Sequence, residues 1–169
     1  MHPLDTELDI ARRVARQAGA ILLEVYATPF AVHDKAGGMG PVTEADERAN
    51  AFIVEALRDA FPSDGVVAEE SDNTSGASRF ERCWFVDPMD GTQEFVNRNG
   101  EFAIHIGLAI AGMATLGVVY RPVGDTLYWG VVGQGGFVED ARGAAPCGCR
   151  TRRSRPRCGW WCPAHTARA

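Results

Sequence analysis

The sequence predicts an α+β fold, with two helices packed on a largely antiparallel sheet. Three observations predict it. Two long stretches near the start, 4–27 and 43–60, carry apolar residues at helical spacing. Runs rich in β-branched and aromatic residues follow at 103–110, 115–120 and 126–132, with Phe137 and Val138 as a candidate fourth strand. The links between them, Ala111-Gly112-Met113 and Val123-Gly124-Asp125, are hairpin-sized, so the strands they join run antiparallel.

The first helix buries a stripe of Leu4, Leu8, Ala11, Ala15, Ala18, Leu22 and Val25, with Arg12, Arg13 and Arg16 mostly on the other side. Pro29 ends it, and residues 30–33 read as a first strand. Residues 34–41 hold Gly37, Gly38 and Gly40 and form a loop, either a plain connector or a lid over a site. Thr43 is the expected N-cap of the second helix, whose stripe is Ala45, Ala49, Phe52, Ile53, Ala56, Leu57 and Ala60. Asp46 stands in its first turn, where the helix dipole favours an acid. That placement explains Asp46 structurally; the alternative is an acid held near a metal cluster.

Residues 62–65 form a turn, and 66–68 a short buried strand that ends in Glu69-Glu70-Ser71. Paired glutamates at a strand end are solvated surface unless a site needs them. The polar stretch 72–77 reads as an excursion. Trp84-Phe85-Val86 then starts a buried strand, Pro88 marks a turn, and Asp87 and Asp90 stand three residues apart before Gly91 and Thr92. Thr92 opens a short helix to Asn97, and His105 reads as a structural residue inside the next strand. Two carboxylates at a strand end suit hard cations, which bind through oxygen. The N–H groups of an adjoining helix start suit a phosphate. Metal and phosphate together point to metal-assisted phosphoryl chemistry.

The chain has 169 residues, enough for one domain with a real core. It holds no run of about eighteen apolar residues, so no membrane span is expected. The acidic start, Asp5, Glu7 and Asp9, does not resemble an export signal, and a cytoplasmic enzyme is the expectation. The net charge of −5 conceals a split: all twenty-two acidic residues lie at or before Asp140, whereas residues 147–169 hold six Arg and no acid. Four of the five cysteines, Cys147, Cys149, Cys158 and Cys162, crowd the same tail, at spacings that do not match a zinc finger. No fold presents the Arg cluster, so nucleic-acid binding is not expected. The tail, 144–169, reads as a disordered segment outside the domain at 1–143. It has the character of a shifted reading frame, which resequencing around residues 143–148 would test.

Three blocks carry a resemblance: Asp87-Pro88-Met89-Asp90-Gly91-Thr92, Glu69-Glu70-Ser71, and Pro41-Val42-Thr43-Glu44-Ala45-Asp46. In this order and spacing the chain resembles the inositol monophosphatase superfamily, Mg²⁺-dependent and lithium-sensitive phosphomonoesterases. Residues 93–102, with Arg98-Asn99-Gly100-Glu101-Phe102, look most like the CysQ-type 3′(2′),5′-bisphosphate nucleotidases. The resemblance implies hydrolysis of 3′-phosphoadenosine 5′-phosphate to AMP and phosphate, with inositol monophosphate or other sugar phosphates as alternatives. It implies that Glu69, Asp87 and the Met89 carbonyl hold a first Mg²⁺, and that Asp87 bridges to a second ion also held by Asp90. Glu69 and Thr92 would orient and deprotonate the attacking water, Asp46 would help hold a third ion, and the Gly91 and Thr92 N–H groups would bind the phosphate. A homodimer is a family habit.

The resemblance runs to about Gly143. It implies the N-terminal half of a layered α/β/α/β/α sugar-phosphatase fold, without its C-terminal α/β domain. No Trp-Asp dipeptide, the family's source of another second-metal ligand, occurs in the chain. This implies weak or absent turnover, or a metal-binding remnant without catalysis.

Overall fold

The computed structural model describes residues 4–34, 41–69 and 79–147. In chain order it holds α1 (Asp5–Tyr26), β1 (Val32–Asp34), β2 (Pro41–Thr43), α2 (Glu44–Ala60), β3 (Gly65–Ala68) and β4 (Arg82–Asp90). There follow α3 (Thr92–Val96), β5 (Ala103–Ile110), β6 (Met113–Arg121), β7 (Thr126–Val131), β8 (Gly135–Asp140) and β9 (Gly143–Pro146). Among the described residues no helix is long and apolar enough to cross a membrane.

The helical periodicity sets how α1 and α2 lie. α1 buries Ala11, Val14, Ala15, Ala18, Gly19, Leu22 and Val25, so small side chains let its backbone come close to the sheet. A Cβ on Gly19 would stand 2.4 Å from the Tyr120 ring on β6, so this approach requires glycine. α2 starts from Thr43, whose hydroxyl accepts from the Ala45 N–H, while the Asp46 carboxylate accepts from the Thr43 N–H. Such a capping box contributes about 1 kcal/mol.

The main sheet runs β3-β4-β5-β6-β7-β8-β9; β3 and β4 are parallel and every later neighbour is antiparallel. One face carries Trp84, Val86, Ile104, Ile106, Leu108, Val118 and Leu127 against the two helices. Tyr26, Phe30, Phe95 and Phe102 form an aromatic cluster at one end, with ring centroids 4.9–5.1 Å apart. The opposite face is open: Phe85, next to the fully buried Trp84, is 44% exposed.

Four readings change. Pro88 does not end the strand; β4 continues through it to Asp90 with a bulge. β2 forms at Pro41–Thr43, from the last residue of the expected loop to the Thr43 cap, and pairs with β1. β9 joins the sheet beside β8, carrying pairing past residue 143. Arg12 and Arg16 do not simply face solvent. Arg12 lies over the Trp129 ring and donates to Glu139 Oε2 at 2.6 Å, and Arg16 donates to Glu139 Oε1 at 2.9 Å. Glu139 on β8 thus ties both guanidiniums of α1 to the sheet. The lid reading for 35–40, the excursion at 72–77, Glu70, and the tail readings from residue 148 onward lie outside the described residues.

Candidate metal and phosphate site

A regular strand alternates its side chains, so two residues three apart point to opposite faces. Asp87 and Asp90 escape this rule. The β4–β5 register pairs Asp87 with His105 and Asp90 with Ala103, three residues against two. The extra residue is a β-bulge, and it returns Asp90 to the face that carries Asp87. Met89 is buried within the bulge, and its N–H donates to Asp87 Oδ1 at 3.1 Å.

β3 supplies the third carboxylate. Its parallel register sets Ala68 beside Val86, and the Glu69 N–H donates to the Val86 carbonyl at 3.0 Å. Glu69 therefore follows alongside Asp87 at the same end of the sheet. Burial pushes the Asp87 carboxyl up to about 7, helped by the charges of Glu69 and Asp90 and by a hydrogen bond shared with Glu69, while the Met89 N–H opposes the rise. A hydrogen bond between two carboxyl groups needs a proton between them. Protonating Asp87 relieves the repulsion within the cluster, as binding a cation would.

Gly91 turns the chain with φ 91° and ψ 40° into α3, and its carbonyl accepts from the Phe95 N–H. A Cβ there would meet the Glu101 carbonyl at 2.8 Å, so the turn needs glycine for space and for its backbone angles. Thr92 Oγ1 lies 3.2 Å from Asp46 Oδ1 and 3.3 Å from the Met89 carbonyl. Asp46 is 1% exposed, and its Oδ2 accepts from both the N–H and the hydroxyl of Thr43 at 2.8 Å. The helix cap and the site are thus one hydrogen-bonded unit.

Glu69, Asp87 and Asp90 gather at the end of β4, and Thr92, after Gly91, links Asp46 to the Met89 carbonyl there. Among the described residues no three carboxylate, imidazole or thiolate groups converge into a ready-made cage. The three carboxylates make an open cluster, and its oxygen-only donor set fits a hard divalent cation. Beside it lies a shallow, mainly apolar groove that includes Val67, Phe85, His105 and Gly107.

Two residues differ from their reading in the sequence. His105 opens toward the cluster, with Nε2 3.7 Å from Asp90 Oδ2. Its even spacing from the residue opposite Asp90 was the available signal, but only the strand register makes that signal legible. Arg98, whose segment shaped the substrate expectation, donates to the carbonyls of Tyr26 and Thr28 and lies over the Phe30 ring. It secures the end of α1, and Phe102 of the same segment is buried in the aromatic cluster.

The chain matches the model of the inositol monophosphatase family over residues 4–157. It is 37% identical over 136 residues to the Nus factor SuhB of Escherichia coli K12, covering 80% of this chain and 49% of that protein. It is 42% identical over 124 residues to the 3′(2′),5′-bisphosphate nucleotidase CysQ of Escherichia coli O157:H7, covering 72% of this chain and 50% of that one. The solved CysQ of Bacteroides thetaiotaomicron superposes with a TM-score of 0.69 at 32% identity, over 82% of this chain and 50% of its own. The chain spans about half the length of the curated relatives it matches.

Proposed function

The chain belongs to the inositol monophosphatase family, and from that premise we propose that the β4 bulge builds the metal centre of a Mg²⁺-dependent phosphomonoesterase. The observation that supports this reading is the bulge itself, which brings Asp87 and Asp90 to one face beside Glu69. Glu69, Asp87 and the Met89 carbonyl would hold one ion, and Asp87 and Asp90 a second. Bound Mg²⁺ would lower the pKa of a water, screen the phosphate charge and stabilise the leaving oxygen.

The protein's own groups have separate tasks. Asp46, anchored by Thr43, accepts the Thr92 proton and so turns the lone pairs of Thr92 Oγ1 toward the attacking water. Glu69, exposed at the mouth of the cluster, takes the proton from that water. The Gly91 and Thr92 N–H groups, at the start of α3, receive phosphate oxygens. Asp46 is already bound by protein donors, which suits positioning Thr92 better than holding a third ion.

The favoured substrate is 3′-phosphoadenosine 5′-phosphate, hydrolysed to AMP and phosphate, with inositol monophosphate as the runner-up. The CysQ relative supports the first, although Arg98 and Phe102 are occupied elsewhere. Phosphate release from each substrate with Mg²⁺, in wild type and Thr92→Ala, tests the reading. Turnover lost in the variant supports it; Mg²⁺-independent turnover contradicts it. A second reading, cation binding without turnover, is favoured by the open sheet face, where Phe85 stands exposed beside the cluster. Water reaching that face weakens every electrostatic interaction in the site.

A further inference from the structure

The three carboxylates of the cluster are not equally held. Asp87 has the Met89 N–H on its Oδ1 and shares a hydrogen bond with Glu69. Asp90 stands at the rim with its side chain 59% exposed. A short exposed carboxylate samples several rotamers, and a cation bound through it must fix one of them. Among the described residues, the group the structure sets against the Asp90 carboxylate is His105. It projects from β5 opposite Asp87, on the same face, with its own side chain only 33% exposed. The imidazole is therefore the better-held member of the pair. At 3.7 Å its Nε2 is beyond a direct hydrogen bond in the cation-free chain, yet a small rotation of Asp90 closes the gap.

We infer that His105 is a positioning residue, which orients the Asp90 carboxylate into the cluster and so sets the affinity of the second cation. The inference rests on the proposed reading of Asp90 as a ligand. Partners that orient metal ligands from behind typically change affinity about 10–100-fold when lost. The effect should fall on the second ion above all: Asp90 serves that ion alone, whereas the first takes Glu69, Asp87 and the Met89 carbonyl.

The test is a Mn²⁺ titration of the full 169-residue chain, counting bound ions by electron paramagnetic resonance. His105→Leu keeps the bulk and removes the N–H; His105→Gln keeps an N–H near the position of Nε2. Wild type is expected to bind two ions of unequal affinity. His105→Leu should weaken the second ion by about tenfold and leave the first unchanged, and His105→Gln should restore the second to within about threefold of wild type. Thermal unfolding of all three, equal in metal-free buffer, separates positioning from general support. Equal binding by His105→Leu overturns the inference, as does parallel weakening of both ions. Failure of His105→Gln to restore binding also overturns it, because a direct imidazole ligand would behave that way. A wild-type chain that binds no Mn²⁺ overturns the metal reading and this inference together; wild-type binding that His105→Leu leaves unaltered overturns the inference alone.

Discussion

The two faces of the main sheet are made by the same strands and held in different ways. On the helix side, Trp84, Ile104, Ile106, Leu108 and Leu127 are buried to within 1% of complete. On the other side, Phe85, Asp87, His105 and Gly107 alternate with them and line an open groove. Packing, with the Trp84 indole bonded to Asp64, fixes the first face. The second holds charges that repel one another, and what binds there decides its state. A residue's value for stability and its value for chemistry therefore separate by sheet face, one position apart in sequence.

Adjacent substitutions should break this comparison most visibly if it is wrong. Trp84→Ala removes a buried ring stacked on Phe61 and an indole N–H that donates to Asp64 Oδ2 at 3.0 Å. Urea unfolding should show a loss of about 4 kcal/mol, within the range for large-to-small core changes. Phe85→Ala, one residue on, should cost under about 1 kcal/mol. Equal losses would mean that the second face is covered in solution.

Asp64→Ala comes next. It removes one of the two carboxylates that hold the Arg82 guanidinium, which donates to Asp64 at 3.0 and 3.2 Å and to Glu7 at 2.7 Å, and it leaves the Trp84 indole without its acceptor. A loss of about 3 kcal/mol is expected for breaking such a partly buried group of partners. Unfolding free energies within error of wild type would show that water replaces Asp64 at no cost.

Thr43→Ala tests the link between core and site. Losing the cap should cost about 1 kcal/mol. The same change removes the hydroxyl donor to Asp46, so phosphate release should fall while Mg²⁺ affinity holds. If affinity falls with it, Asp46 touches the cation and the positioning role is wrong.

The last prediction is a pH dependence. The Asp87 carboxyl titrates near 7 in the metal-free fold against an ordinary 3.8, so folding favours its protonated form. The associated stability is present below about pH 4 and is lost as pH rises through about 7. Melting in EDTA should therefore fall more between pH 5 and pH 8 for wild type than for Asp87→Asn, and Mg²⁺ should recover wild type alone. Parallel melting profiles would show that the carboxylates are too far apart or too wet to couple.

Much of this was legible in the sequence where periodicity carries information. The stripes of α1 and α2, the Thr43 cap and the β5–β7 hairpins follow from spacing and turn residues, and the structure bears them out except at Ala60, which is exposed at the end of α2. The bulge was not legible, because Pro88 signals a break and an odd spacing between acids signals opposite faces; only pairing with β5 reveals the extra residue. β9, Gly-Ala-Ala-Pro, has no apolar alternation, and it pairs because β8 offers it an edge. The Arg98–Phe102 segment narrowed the substrate through its resemblance alone; the carbonyls of Tyr26 and Thr28 at the end of α1, which take the Arg98 guanidinium, could not be read from the sequence. The proximity of Glu69 to Asp87 came from the family resemblance, and its physical cause is the parallel β3–β4 register.

The central claim is that Asp87, Asp90 and Glu69 form a cation site in place of a shared proton. Calorimetric titration of Mg²⁺ into the chain at pH 7, repeated in two buffers of different ionisation enthalpy, tests it most directly. The account predicts binding with proton release, because a cation displaces the proton held between Asp87 and Glu69, and binding about 100-fold weaker in Asp87→Asn. Absence of binding, or binding without proton release that Asp87→Asn leaves intact, would contradict it.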